Sequence, residues 1–184
     1  MLNTLVVYVE NKPGVLSRVI SLFRRRNFNI DSLTVGRTEK PDVSRMTIVV
    51  EGDTDQVRRI VANVYKLVNV LLVDDITGRP SLVRDLALIK INATQATRSR
   101  VLDIAQVFKA RVLDIAMESI TVEMTGGEEK VDRLLEILTP FGLLEVVRTG
   151  VVAMRRGEKS NVPAAEPLAK PSSDKRDDTI SYSV

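Results

Sequence analysis

Leu2-Asn3-Thr4-Leu5-Val6-Val7-Tyr8-Val9-Glu10 runs through Asn11-Lys12-Pro13-Gly14 into Val15-Leu16-Ser17-Arg18-Val19-Ile20-Ser21-Leu22-Phe23-Arg24-Arg25-Arg26. The first run is rich in β-branched residues and reads as a strand. In the last, Val15, Leu16, Val19, Ile20, Leu22 and Phe23 form a helical stripe, with Ser17, Arg18 and Ser21 on the other side. The residues between them make a strand-to-helix turn. Pro13 sets its own φ ahead of the helix, and Gly14 removes a Cβ that would crowd a ligand. The first amides of a helix have no partners within it, so the N–H groups of Gly14, Val15 and Leu16 are candidate donors to an anion. The carboxylate of a free amino acid would suit them. The Asn11 side chain can accept from an ammonium group or cap the helix. Ordinary helix-start chemistry also explains this spacing, and on spacing alone it is the better account.

Outward from this stretch the chain continues in the same style. Asn29–Arg37 and Val43–Glu51 are β-branched runs joined by polar residues 38–42, and they predict a hairpin. Asp53 or Thr54 caps a predicted helix to about Lys66, which buries Val57, Ile60, Val61 and Val64. Val70–Ile76 is the next strand, completing the order β-α-β-β-α-β. After the breaker-rich link 78–83 the order recurs. Arg84–Asn92 reads as a strand and Gln95–Lys109 as a helix. Arg111–Glu118 and Ser119–Thr125 read as strands, Glu128–Thr139 as a helix, and Leu143–Thr149 as a last strand extended by Val151–Met154.

Ser17-Arg18-Val19 matches Ser99-Arg100-Val101, and the Val57–Val64 positions match Val131–Leu138. We read this as shared architecture rather than shared ancestry. The expected fold class is α+β: two tandem ferredoxin-like domains over 1–77 and 84–156. In each, two helices cover one face of a four-stranded antiparallel sheet. Residues 157–184 are rich in Pro, Ala, Ser, Lys and Asp, bury too little to offset chain entropy, and are expected to be a disordered tail.

Composition narrows the function. The chain of 184 residues has no Cys and no His, which excludes disulfides, Cys nucleophiles, His general bases and the usual zinc or copper sites. An enzyme reading would have to use Lys12 or the Asp74-Asp75 pair, and adjacent Asp residues in a strand alternate faces. The net charge of +3 comes without any stripe of basic residues interleaved with aromatics, so nucleic acid is not an expected partner. Arg24-Arg25-Arg26 complements the C-terminal dipole of its helix. No apolar run approaches the roughly 20 residues needed to span a bilayer. The expected setting is cytoplasmic, with no membrane partner.

Asn27-Phe28-Asn29-Ile30-Asp31 opens the second strand as a polar turn with Ile30 as core. If two chains pair side by side along their sheets and first helices, each Asn29-Ile30 reaches the other chain's Gly14 turn. The Asn-x-Pro-Gly-Val-Leu turn, Asn29-Ile30-Asp31-Ser32-Leu33-Thr34-Val35 and Val43-Ser44-Arg45-Met46-Thr47-Ile48 resemble the regulatory small subunit of acetohydroxyacid synthase (acetolactate synthase). The likeness extends over 1–157, through Lys66-Leu67-Val68-Asn69-Val70 and Arg148-Thr149-Gly150-Val151-Val152, and its N-terminal half is an ACT domain.

The resemblance implies a chain with no catalytic activity and no cofactor of its own. It would activate a catalytic subunit that carries thiamin diphosphate, Mg and FAD, and confer feedback inhibition by valine, leucine or isoleucine. It implies a homodimer in which Asn11, Gly14, Val15 and Leu16 hold the effector's backbone groups and Asn29 and Ile30 come from the partner chain. The equivalent turn of the second half, Asn92-Ala93-Thr94-Gln95-Ala96-Thr97, has neither Pro nor Gly, so effector binding is expected in the first half only. The alternative is a free-standing tandem ACT sensor acting on a transcription regulator.

Overall fold

The structure, a computed structural model, describes residues 1–157 and 162–163. The first half runs β1 (Leu2–Glu10), α1 (Val15–Arg25), β2 (Ile30–Arg37), β3 (Val43–Glu51), α2 (Thr54–Val64) and β4 (Val70–Asp75). Its sheet has the antiparallel order β2-β3-β1-β4. The second half runs β5 (Ser81–Asn92), α3 (Arg98–Phe108), β6 (Arg111–Ile115), β7 (Ser119–Gly126), α4 (Glu128–Leu138), β8 (Leu143–Arg148) and β9 (Val152–Arg155). Its sheet has the order β6-β7-β5-β8, with β9 also paired to β5. Two ferredoxin-like units in tandem result, as the recurring order predicts. The expectation of a disordered tail over 157–184 falls outside the described residues except for Gly157 and 162–163.

Each unit has its own aliphatic core. Alternate residues Leu5, Val7 and Val9 of β1 meet Val19, Leu22 and Phe23 of α1 and Val57, Ile60 and Val64 of α2. Ala87, Ile89 and Ile91 of β5 meet Val101 and Ala105 of α3 and Val131, Leu134 and Leu138 of α4. The helix stripes and strand alternation in the sequence are these contacts read along the chain.

Three element ends differ from expectation, each for a local reason. The helix expected from Gln95 begins at Arg98, because the Thr94 carbonyl accepts the N–H groups of Thr97 and Arg98 in a preceding turn. The strand expected through Glu118 stops at Ile115, because the Ala116 N–H donates to the Ser119 carbonyl and closes the hairpin. Within 78–83, Ser81 already begins β5 and pairs with Arg155.

The extension of the last strand is β9, but it is not continuous with β8. Both lie along the same edge of β5, which pairs Ala87 with Arg148 and Arg84 with Val152. Thr149, Gly150 and Val151 therefore stand opposite only Asp85 and Leu86. This is a β-bulge, with Gly150 in the left-handed region at φ 81°.

The β5–β9 ribbon covers the sheet-1 face opposite its helices, where Val6, Val49 and Ile76 pack on Val151 and Ala153. Arg155 pairs with Asp74 at the margin. Burying each of the valines or the isoleucine is worth about 1.5–3 kcal/mol. A partly exposed ion pair contributes about 0–1 kcal/mol. Apolar contact therefore joins the domains, with the ion pair a minor addition.

Candidate effector site

β1 ends where Glu10 pairs with Val43. Asn11 then ties the chain to the loop between β2 and β3. Its N–H donates to the Asp42 carbonyl at 2.7 Å and its Nδ2 to the Pro41 carbonyl at 2.9 Å. The side chain thus does not cap the helix. Gly14 takes the N-cap position at φ 81°, ψ −10°, and a Cβ built there would meet nothing within 4 Å.

The start of α1 lacks the usual electrostatic complements. No side chain caps it and its first turn holds no acidic residue. By contrast, Asp53 caps α2 by accepting the Gln56 N–H at 2.7 Å while Gln56 Oε1 accepts the Asp53 N–H, and α4 begins with Glu128 and Glu129. The partial positive charge at the α1 N-terminus is left for something outside the chain. Of the three amides expected as donors, Val15's is engaged by a long 3.4 Å bond to the Lys12 carbonyl. Gly14 and Leu16 remain the better-placed pair.

Beneath the turn lies a polar network that sequence reasoning missed. The Glu10 carboxylate, only 8% exposed, accepts from Asn69 Nδ2 and from Lys12 Nζ at 3.1 Å. Asn69 Oδ1 accepts from the Arg18 guanidinium at 2.6 Å, and the Asn69 carbonyl accepts the Glu10 N–H at 2.9 Å. One side chain at the start of β4 therefore braces the end of β1 and the first turn of α1 together. The Asn69 hydrogen bond, and then that from Lys12, hold the Glu10 carboxyl below its usual range despite burial. Asn69 stood in the stretch Lys66–Val70 that carried the resemblance, but nothing in that stretch alone pairs it with residue 10.

Asn29 is exposed and Ile30 half-buried. Ile30 pairs with Val50, seven residues along β3 from the Val43 that faces Glu10. At about 3.3 Å per residue this separates them from the Gly14 turn by about 23 Å. Within one chain the six residues expected to hold an effector are two groups at opposite ends of a sheet. β2 is an edge strand, and beside it Leu16 and Ile20 of α1 and Val35 of β2 are 36–43% exposed.

The corresponding turn of the second domain is built differently. Thr97, the residue before α3, has φ −104° rather than a left-handed value. Arg98 folds its guanidinium back onto the carbonyls of Ala93, Ala116 at 2.6 Å and Met117. A cation bound to the chain's own carbonyls occupies that helix start. Elsewhere, Lys12 is paired with Glu10, Asp74 with Arg155, and Asp75 Oδ1 accepts the Thr77 N–H at 3.0 Å. Each candidate for an enzyme reading thus has a structural partner. Among the described residues no group of three or more acidic side chains could hold a metal ion, and no helix is long and apolar enough to cross a membrane.

Comparison with known proteins extends over both domains. Residues 5–72 match the family described as an AHAS small subunit-like ACT domain, and residues 84–157 that described as the small subunit of acetolactate synthase. The chain is 46% identical over 159 residues to a probable acetolactate synthase small subunit of Archaeoglobus fulgidus, covering 86% of this chain and 99% of that one. It is 48% identical over 157 residues to the acetolactate synthase small subunit of Mycobacterium leprae, covering 85% and 93%. The crystal structure of acetolactate synthase small subunit from Thermotoga maritima superposes with a TM-score of 0.80 at 34% identity, covering 86% of this chain and 99% of that one.

Proposed function

The chain belongs to the acetolactate synthase small-subunit family, and from that premise we propose that it activates the catalytic subunit and makes it sensitive to a branched-chain amino acid. Thiamin diphosphate, Mg and FAD belong, in this reading, to the catalytic subunit, and this chain contributes regulation alone. The setting is cytoplasmic.

The observation that carries the proposal is the start of α1: a left-handed Gly14 with open space beside it, no cap and no acidic residue in the first turn. The effector carboxylate supplies the missing negative charge and accepts from the amides of Gly14 and Leu16. Its ammonium group meets Asn11 Oδ1, since Nδ2 is committed to the Pro41 carbonyl. The site is finished by a second copy. A two-fold axis beside the open edge of β2 sets the strands antiparallel and carries each Asn29-Ile30 to the other chain's Gly14 turn. The same pairing covers Leu16, Ile20 and Val35, the apolar side chains left exposed along that edge.

Effector binding therefore stabilises one geometry of the homodimer, which engages the catalytic subunit differently. A coupling of about 1–3 kcal/mol gives roughly 5- to 150-fold regulation. One methylene is worth about 1–3 kcal/mol in an apolar pocket, so valine, leucine and isoleucine are expected to form a graded series. The test is calorimetry on the purified homodimer, followed by inhibition of the reconstituted holoenzyme, with each amino acid titrated separately. Saturable heat from at least one of them is expected. If all three give none, the sensor reading fails.

A further inference from the structure

If the effector site lies in the first domain, a physical connection must carry its state into the second. β2 supplies Ile30 at its start and then bulges: Ile30 pairs with Val50 but Ser32 with Val49, leaving Asp31 outside the ladder. Immediately past this bulge, Ser32 Oγ accepts the Val151 N–H at 2.9 Å, and the Thr34 hydroxyl donates to the Thr149 carbonyl at 3.4 Å. Gly150 sits between them so closely that a Cβ would lie 2.7 Å from Ser32 Oγ and 3.2 Å from Thr34 Oγ1. The bulge of β2 thus meets the bulge between β8 and β9.

The second bulge is fixed to its own domain on the other side. The Thr149 N–H donates to the Leu86 carbonyl at 3.0 Å, and its hydroxyl lies 3.2 Å from the Leu86 nitrogen. Arg148 forms a 2.5 Å ion pair with buried Asp85 and reaches Asp132 of α4 at 2.6 Å. Residues 148–151 are therefore held by β2 of one domain and by β5 and α4 of the other. A cleft lined by Asp31, Leu33, Glu128 and Arg148 runs alongside this segment. The Val151 N–H, turned out of the β8–β9 edge by the bulge, donates to Ser32 of the other domain.

We propose that the contact of Ser32 and Thr34 with Thr149-Gly150-Val151 is the coupling element that passes effector occupancy from the β2 edge to the second domain. This rests on the effector reading above and specifies how the site regulates. Closure of the partner chain on Asn29-Ile30 shifts the start of β2. Ser32, two residues on, transmits that shift to the Val151 amide, and Arg148 passes it to α4.

The test separates binding from response. Ser32→Ala combined with Thr34→Val removes both hydroxyls and little volume. Valine calorimetry on the full-chain homodimer and valine inhibition of the reconstituted holoenzyme are then measured side by side. The expected result is affinity within about twofold of the parent, retained activation, and an inhibitory concentration raised at least about tenfold. Inhibition unchanged, or binding and inhibition weakened in parallel, overturns the coupling role. Should neither valine nor, in its place, leucine or isoleucine bind the unmodified chain, the effector reading itself fails, a distinguishable failure. Hydrogen exchange on the unmodified homodimer supplies a check that needs no variant. Valine is expected to change protection of the Thr149 and Val151 amides, and no change at either overturns the proposal.

Discussion

The starts of α1 and α3 occupy the same place in two copies of one topology, yet they are finished in opposite ways. At α1 the chain opens through a left-handed glycine and leaves space where a Cβ would stand. At α3 the preceding residue keeps a negative φ, and Arg98 packs its guanidinium onto three backbone carbonyls. Neither helix start has a side-chain cap or an acidic residue in its first turn, so what separates them is the left-handed glycine with open space at α1 and the packed guanidinium at α3. The lesson is that fold alone does not mark a site; what matters is the backbone conformation and the side chains with which each copy finishes its turn.

The comparison can be broken most decisively at Gly14. Gly14→Asp introduces a charge of the same sign as the effector carboxylate at a position where Asp tolerates the left-handed backbone. Like-charge juxtaposition costs several kcal/mol, so valine affinity is expected to fall by about 100-fold or more while activation of the catalytic subunit persists. Unchanged calorimetric affinity would place the site elsewhere.

A smaller loss, about tenfold, is expected for Asn29→His, equivalent to about 1.4 kcal/mol. Mixing these two variants sharpens the picture. A dimer of one Gly14→Asp chain and one Asn29→His chain retains one site made wholly from unaltered residues. Calorimetry on the purified mixed dimer should then recover about half the sites of the parent. If Asn29 served its own chain's turn, the mixed dimer would have none.

Asn69→Ala removes the brace between Glu10 and Arg18 and is expected to cost about 1 kcal/mol, close to a fivefold loss of valine affinity. Glu10 also gives this brace a pH dependence. Its folded pKa is lowered, so its contribution is present above the ordinary carboxylate value and is lost as pH falls through the depressed one. The Tm difference between the parent chain and Asn69→Ala should therefore be largest near neutral pH and shrink as pH falls through the depressed Glu10 value.

Least effect on binding is expected at the second turn. Arg98→Met leaves three carbonyls without their donor and should lower stability by about 1–3 kcal/mol, seen as a Tm lower by roughly 2–4 °C per kcal/mol. It should create no new valine site, since the left-handed glycine is still missing. A second set of saturable heats would show that the guanidinium alone had closed this position.

Much of the fold was legible because each element carries its own period. The alternation of Leu5, Val7 and Val9, the stripe Val15–Phe23 and the cap at Asp53 are local signals, and the structure returns them within a residue or two. The β9 strand was harder. Val151–Met154 reads as an extension, but its partners lie about 70 residues earlier in β5, and only the bulge at Gly150 turns its far side onto the other domain. The turn at Gly14 could be read from Pro and Gly chemistry. The Glu10–Asn69 brace could not, since it depends on β1 and β4 lying side by side, and that adjacency leaves no mark on either stretch alone. Engagement of the Val15 amide by Lys12 was equally invisible, being a matter of a few tenths of an ångström in turn geometry.

The single strand β5 belongs to both halves of the molecule: residues 81–84 pair with β9 over the first sheet, and the remainder forms the second sheet. Anyone wishing to graft the first domain onto another protein would therefore find no clean place to cut after it. Excised there, the domain would lose the cover over Val6, Val49 and Ile76 and present a bare aliphatic surface to solvent. The smallest transplantable unit is the pair of domains together, for a reason of surface chemistry.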